Sequence, residues 1–417
     1  MFELDLIHTL AFGGVALLVG YALCHWVPVL GRYNIPPPVV GGLLVALAIL
    51  IARNQGVTLF KFDTTLQAPL MIAFFTTIGF AASLSLLRVG GPQVLRFFII
   101  AAVFAVLQNL VGILVALPFG LHPLFGVLAG SVTLTGGPAT GLAFAPLFEQ
   151  AGVPAASSIA IAVAMGGIVL GGIIGGPVST FLIERNRPRT TPPRDGARQT
   201  PQVATPNNAM AVAAPADPAP AGEAAFEDED ASVLPIMKNL VAILVAMWAG
   251  AWVSKGFAAL GLTLPAYIGS MLIAAVLRNI DDATGWLGLS TRFINQFGAV
   301  CLSLFLVLAL MTLKLWELAA LALPLITILL AQMIFVAIIA AWPVFPLMGR
   351  DYESAVMSGG FIGFMLGTAA NAMAVMRTLV ERYGPAPRAF FVAPMVGVFF
   401  IDFANALIIT VFLNVFA

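Results

Sequence analysis

Pro37-Pro38-Val39-Val40-Gly41-Gly42-Leu43-Leu44 returns about 230 residues later as Pro265-Ala266-Tyr267-Ile268-Gly269-Ser270-Met271-Leu272. At a similar offset Gly130 is matched by Gly359, Glu149 by Glu381, and Gly152-Val153-Pro154 by Gly384-Pro385. Weak self-similarity at this spacing marks two copies of one design, joined in the middle.

Composition sets the solvent of both copies. Of 417 residues, 60% are hydrophobic and 9% charged, with a mean hydropathy of +1.02. A soluble chain carries roughly 25% charged residues, so the surroundings here are lipid. The net charge of zero removes any electrostatic case for nucleic acid. Cys24 and Cys301 lie in apolar runs and read as small packing residues rather than a disulfide. His8, His25 and His122 sit at span edges, and no His/Cys cluster has metal-ligand spacing. Neither a Walker loop nor a Ser/His/Asp set is present, so the chain does not read as an enzyme. The first apolar run, Leu10 to Leu30, follows Glu3 and Asp5 and no basic residue; it reads as a retained span, not a cleaved leader.

A span needs roughly 20 mostly apolar residues. Candidates fall near 8–31, 36–53, 66–87, 95–118 and 156–183, then near 235–258, 263–278, 293–313, 319–345 and 387–414. Five per half turns the second copy upside down relative to the first. Two apolar stretches carry too much glycine and proline for a lipid-facing helix. These are 122–147, with Gly130, Gly136, Gly137, Pro138 and Gly141, and 353–377, with Gly359, Gly360, Gly363 and Gly367. Broken backbone at membrane depth survives only inside protein or beside a wet cavity, so both read as re-entrant hairpins. Ordinary spans packed through glycine are the alternative. The expected fold is therefore an all-α polytopic membrane protein of about ten helices in two inverted repeats, each with a re-entrant hairpin.

Residues 184–232 are polar, without apolar periodicity, and read as a disordered linker between repeats 1–183 and 233–417. The linker opens with Arg185, Arg187, Arg189, Arg194 and Arg198, which place it in the cytoplasm. Both termini then lie outside. Fifteen Lys and Arg residues fall inside and four outside (Arg53, Lys61, Lys255, Lys314), as the positive-inside rule requires. The hairpins enter from opposite faces, so their tips can meet near the midplane.

Polar residues inside the spans are few. Asp402 is a carboxylate in the middle of a span, a placement that costs roughly 2.5–3.5 kcal/mol. Asn405 shares its helical face, and together they offer hard oxygens for Na⁺ or a substrate ammonium. A protonated, purely structural carboxyl is the alternative. The first tip, Ser131-Val132-Thr133-Leu134-Thr135-Gly136-Gly137-Pro138-Ala139-Thr140-Gly141, combines hydroxyls with glycines that bring backbone N–H groups close to a ligand. A helix restarting after Pro138 points its positive end into the site, which suits a carboxylate. The second tip, Gly367-Thr368-Ala369-Ala370-Asn371, is a similar set with less glycine. Thr135, Gly136, Gly137, Thr140, Asn371 and Asp402 are the candidate substrate set. Ser131, Thr133, Gly367, Asp402 and Asn405 are the candidate sodium set. Gln108, Asn109 and Gln332 read as interhelical hydrogen bonders. Gly166, Gly167, Gly171, Gly172, Gly175 and Gly176 read as a surface that lets one span pass close to a hairpin.

Along nearly the whole chain outside the linker, the residues resemble the bacterial sodium/glutamate symporter family. The likeness is carried by Ile35 to Ala46, Pro69 to Phe75, Leu170 to Val178, Ser303-Leu304-Phe305, Lys314 to Leu318, Glu381 to Pro385, Pro394 to Gly397, and Phe399-Phe400-Ile401-Asp402 with Asn405. The resemblance implies a ten-span carrier with two re-entrant loops in the bacterial inner membrane. It also implies a homodimer whose transport domain moves against a fixed scaffold, and glutamate uptake coupled to Na⁺ with no cofactor. The tips depart from the family: Pro138 stands where the family has His, and Gly360-Phe361-Ile362-Gly363-Phe364-Met365-Leu366-Gly367 replaces Gly-His-Cys-Gly-Phe-Gly-Leu-Gly. Thr368-Ala369-Ala370-Asn371 replaces Ala-Thr-Pro-Thr, and Val375 stands where the family has Asn. The scaffold is kept, so a related small carboxylate or a changed ion stoichiometry fits as well as glutamate. A proton-coupled organic-anion carrier or exporter, with Asp402 carrying the proton, and a passive anion channel are the competing functions.

Overall fold

The computed structural model describes residues 2–33, 35–56, 60–186, 228–259, 265–318 and 321–416. Asp5 caps α1 (Leu6–Trp26), accepting the His8 N–H at 2.8 Å. Pro28 ends that run and opens the short α2 (Pro28–Arg32), so the expected span 8–31 divides in two. Pro37 and Pro38 lie in the first turn of α3 (Pro37–Asn54), where a missing N–H costs nothing. There follow α4 (Gln67–Ala81) and α5 (Leu84–Ala116), the latter kinked at Gly91. Next come α6 (Pro123–Val127), a π segment at Leu128–Val132, α7 (Gly137–Gln150) and α8 (Ala156–Asn186).

The second half is helical as well. It runs α9 (Asp228–Ala259), α10 (Ala266–Thr284), α11 (Thr291–Met311) and α12 (Ala322–Ile339). A π segment at Ala340–Val344 leads to α13 (Phe345–Leu347), α14 (Tyr352–Met365) and α15 (Ala369–Tyr383). The chain closes with α16 (Pro387–Pro394), a π segment at Met395–Phe400 and α17 (Ile401–Phe416). The expected linker is trimmed at both ends, because α8 runs to Asn186 and α9 starts at Asp228. Positions 187–227, on which the disorder reading rests, lie outside the described residues.

Among the described residues, eight helices are long and apolar enough to cross a membrane, and the chain is an all-α multi-pass membrane protein. The expected spans 66–87 and 263–278 fall on the two that miss this standard. With 15 residues, α4 reaches only about 22 Å. The last turns of α10 carry Arg278, Asp281 and Asp282. These two helices pack on one another, and a Cβ at Gly79 would strike the Met271 carbonyl. Their ends are pinned by Asp282, which accepts from Ser83 at 2.5 Å and Ser85 at 3.1 Å, and by Asn279, which accepts the Leu84 N–H at 2.9 Å. Beside them, burial pushes the Asp281 carboxyl up, but the N–H groups of Leu289, Leu287 and Gly288 outweigh it and hold the carboxyl below its usual range. One feature escapes an all-helical reading: Phe2–Leu4 pairs in parallel with Phe60–Phe62.

The helices form two bundles, each drawing on both halves. One holds α1, α3 and α4 with α9, α10 and α11. The other holds α5 to α8 with α12 and α14 to α17. Within the first, α1 crosses α3 where Gly20 and Gly41 let the backbones touch. In the same way α9 crosses α10 at Gly250 and Gly269. A Cβ at any of the four would overlap a facing backbone atom. The bundles meet on an apolar surface, Val39, Ala46, Leu306 and Leu310 on one side, Ala139, Leu142 and Ile161 on the other. Hydrogen bonds cross at its edges, from Leu84 N–H and Ser85 of α5 to Asn279 and Asp282 of α10 and from Ser158 of α8 to the Lys314 carbonyl.

Candidate functional site

The site lies where the π segment at Leu128–Val132, α14 and α17 pack on α5, with the starts of α7 and α15 facing one another beside them. Gly130 breaks the first helical arm with φ −103° and ψ −129°. A side chain there would meet Asn109 Oδ1 at 2.8 Å, so only glycine lets the broken turn lie against α5. Ser131 follows and is fully buried. Its N–H donates to Asn109 Oδ1 at 2.8 Å. Its carbonyl accepts from Gly136 N at 2.9 Å and from Asn405 Nδ2 at 2.8 Å. Among the described residues, the hydroxyl of Ser131 and Oδ1 of Asn405 are left without a hydrogen-bond partner, although both residues are fully buried. Leaving such atoms bare costs about 1–3 kcal/mol each, so two bare oxygens beside one bond mark a place for a cation or another donor.

The remaining candidates divide by what their polar atoms already do. Thr133 donates to the Leu128 carbonyl at 2.7 Å, which mends the broken turn. Thr135 donates to Gln108 Oε1 at 2.7 Å, with Met365 Sδ also at 3.3 Å. Its proton is therefore used, and its lone pairs, the side a cation needs, are not. The Gly136 N–H is spent on Ser131, whereas Gly137, at φ +69°, opens α7 with no such bond. Thr140 folds back over Gly136, its Cβ 2.6 Å from where a Gly136 Cβ would stand.

The second tip comes to the first directly. A Cβ on Gly137 would lie 3.7 Å from the Gly367 carbonyl and 3.8 Å from Thr368 Cγ2. Thr368 caps α15 by accepting the Asn371 N–H at 3.3 Å, so the positive ends of α7 and α15 face one another. Asn371 is buried and donates to the Ile168 carbonyl of α8 at 3.0 Å. Here the α8 glycines act as packing: Gly167 lies against Leu366 and Leu134, Gly171 against Asn371 and Leu366, and Gly175 against Val375. Asp402 is half-buried, three residues before Asn405, and makes no hydrogen bond or ion pair among the described residues.

Gln108 was the residue whose place the sequence hid. It is fully buried, accepts from Thr135 at the first tip, and donates to the Met365 carbonyl at 3.0 Å at the second. Its own carbonyl accepts from Gln332 Nε2 at 2.7 Å. The available signal was an adjacent pair of amides, Gln108 and Asn109, in the middle of an apolar span, where an amide is expensive unless fully bonded.

A family model described as sodium/glutamate symporter matches residues 2–385. A sodium/glutamate symporter of Escherichia coli (strain K12) is 41% identical over 418 residues, covering 99% of this chain and 98% of the relative. The sodium/glutamate symporter of Haemophilus influenzae is 38% identical, covering 97% and 96%. The chain belongs to the sodium/glutamate symporter family.

Proposed function

We propose that this chain couples inward movement of Na⁺ to uptake of glutamate or a related small carboxylate. The observation that carries the reading is the pair of bare buried oxygens, Ser131 Oγ and Asn405 Oδ1, flanking the bond that joins the first tip to α17. Hard oxygens on buried residues suit Na⁺, and Asp402, unpaired among the described residues and one turn from Asn405, supplies the charge. The Thr135 lone pairs are the nearest addition on the first tip. The carboxylate is held by the opposed helix ends, through Gly137, Thr140 and the Gly367-to-Asn371 turn. The family's relatives, named for sodium and glutamate, support the same pair of solutes.

In this reading the two halves are inverted repeats, 1–183 and 233–417, with hairpins at 122–147 and 353–377. The matched glycine crossings Gly20–Gly41 and Gly250–Gly269 support the repeat, as does the drawing of each bundle from both halves. The bundle that carries the tips moves as a body against the other, across the apolar patch of Val39, Leu306 and Leu310 against Ala139 and Leu142. The protein works in the bacterial inner membrane as a homodimer, with the linker cytoplasmic and both termini outside. Sodium and carboxylate each stabilise the closed tips, so each raises the affinity for the other.

Asp402 also keeps a second reading alive, in which it carries a proton, because no cation neutralises it among the described residues. Flux into proteoliposomes separates the two. A sodium gradient alone drives accumulation in the first and a proton gradient alone in the second, while a passive pore accumulates nothing under either.

A further inference from the structure

Gln108 touches both tips and belongs to neither. The geometry points to Gln108 as the positioning residue that couples them, so that sodium at the first tip raises carboxylate affinity at the second. This inference rests on the sodium-symport reading and deepens it.

A single planar amide makes the link. Oε1 accepts from the Thr135 hydroxyl and Nε2 donates to the Met365 carbonyl. Turning the amide over would set Oε1 against the Met365 carbonyl, acceptor against acceptor, so only one orientation satisfies both partners. The post that carries the amide is fixed. Gln332 bonds the Gln108 carbonyl, and the neighbouring Asn109 bonds the Ser131 N–H.

The chain of effects follows from these bonds. A cation on Ser131 Oγ and Asn405 Oδ1 orders the Ser131–Thr135 turn, which is closed by Gly136 N on the Ser131 carbonyl and Leu134 N on the Gly130 carbonyl. Thr135 then points its proton at Gln108, and the planar amide aims Nε2 at Met365. Met365 ends α14, so its anchor sets the Gly367-to-Asn371 turn against Gly137. When the cation leaves, the first turn loosens, Thr135 withdraws and the second tip loses its anchor. A side chain without both a donor and an acceptor cannot pass this signal.

The test is the factor by which saturating Na⁺ raises carboxylate affinity in purified protein, with L-glutamate, L-aspartate and 2-oxoglutarate as probes. Gln108→Met keeps length and volume but removes both bonds. It is expected to cut the factor by about tenfold, toward one, while affinity measured without sodium stays near wild type. Gln108→Leu removes the same two bonds with a different side-chain shape and keeps the test open if Gln108→Met does not fold. It should lower the factor as far. Equal weakening with and without sodium, or an unchanged factor, overturns the assignment of Gln108 alone. A wild-type factor of one for all three probes overturns the symport reading and this inference with it.

Discussion

Asn405 on α17 donates its side-chain amide to the carbonyl oxygen of Ser131 at 2.8 Å, across 274 positions of sequence, and both residues are fully buried. The bond fixes the break in the helix at Gly130 to the last helix. Beside it, Ser131 Oγ and Asn405 Oδ1 have no hydrogen-bond partner among the described residues.

From that arrangement, Ser131→Ala and Asn405→Ala should each weaken Na⁺ binding about tenfold, or ~1.4 kcal/mol. Carboxylate affinity at saturating sodium should change much less. Calorimetric titration of the purified variants with Na⁺ checks this, and an unchanged sodium affinity in both would remove these residues from the cation site.

The glycine crossings give a test of the repeat. Gly41→Ala and Gly269→Ala each force a Cβ onto a facing backbone and should cost about 1–3 kcal/mol, by a similar amount in each half. Gly176→Ala, which meets nothing within 4 Å, should be neutral or slightly stabilising. Thermal unfolding in detergent ranks the three; one crossing sensitive and the other indifferent would speak against equivalent halves.

At the start of α14, Arg388 Nη2 holds both Asp351 oxygens at 2.5 and 2.6 Å, and Asp351 caps the helix through the Ser354 N–H at 2.8 Å. Burial pushes the Asp351 carboxyl up, but the Arg388 and Ser354 bonds outweigh it and hold it below the ordinary 3.8. A lowered folded value means the stabilisation is present above pH 3.8 and is lost as pH falls through that lower value. Both groups are partly exposed, so Arg388→Gln should cost only about 1 kcal/mol at neutral pH. Melting of wild type and variant between pH 7 and the onset of acid unfolding should show a constant gap that closes only below about pH 4. A gap that closes near pH 6 would point to another group.

Much of this was legible because lipid makes every polar or broken residue costly. The glycine density at 122–147 and 353–377 located both interrupted helix pairs, and the α8 glycines announced the close passage later seen at Asn371 and Val375. Asn405 stood out for the same reason, and its partner Ser131 lay in the tip already singled out. Partnership across the chain was not legible. The pattern of α5 shows that Gln108 is buried, but not that its two ends reach Thr135 and Met365, which lie 27 and 257 positions away. Hydropathy located the apolar stretches of α4 and α10 but not their ends: α4 stops at Ala81 and α10 carries Arg278, Asp281 and Asp282 in its last turns, where Asn279 and Asp282 bond the segment that follows α4. The pairing of Phe2–Leu4 with Phe60–Phe62 has no periodicity long enough to read.

The most direct measurement is paired uptake of radiolabelled sodium and L-glutamate into proteoliposomes, for wild type and Asp402→Asn. Under an inward sodium gradient, both labels should enter wild-type vesicles in a fixed ratio, and both should fall about tenfold or more in the variant. Wild-type glutamate uptake retained by Asp402→Asn, or accumulation by the wild type under a proton gradient with sodium absent, would contradict the account.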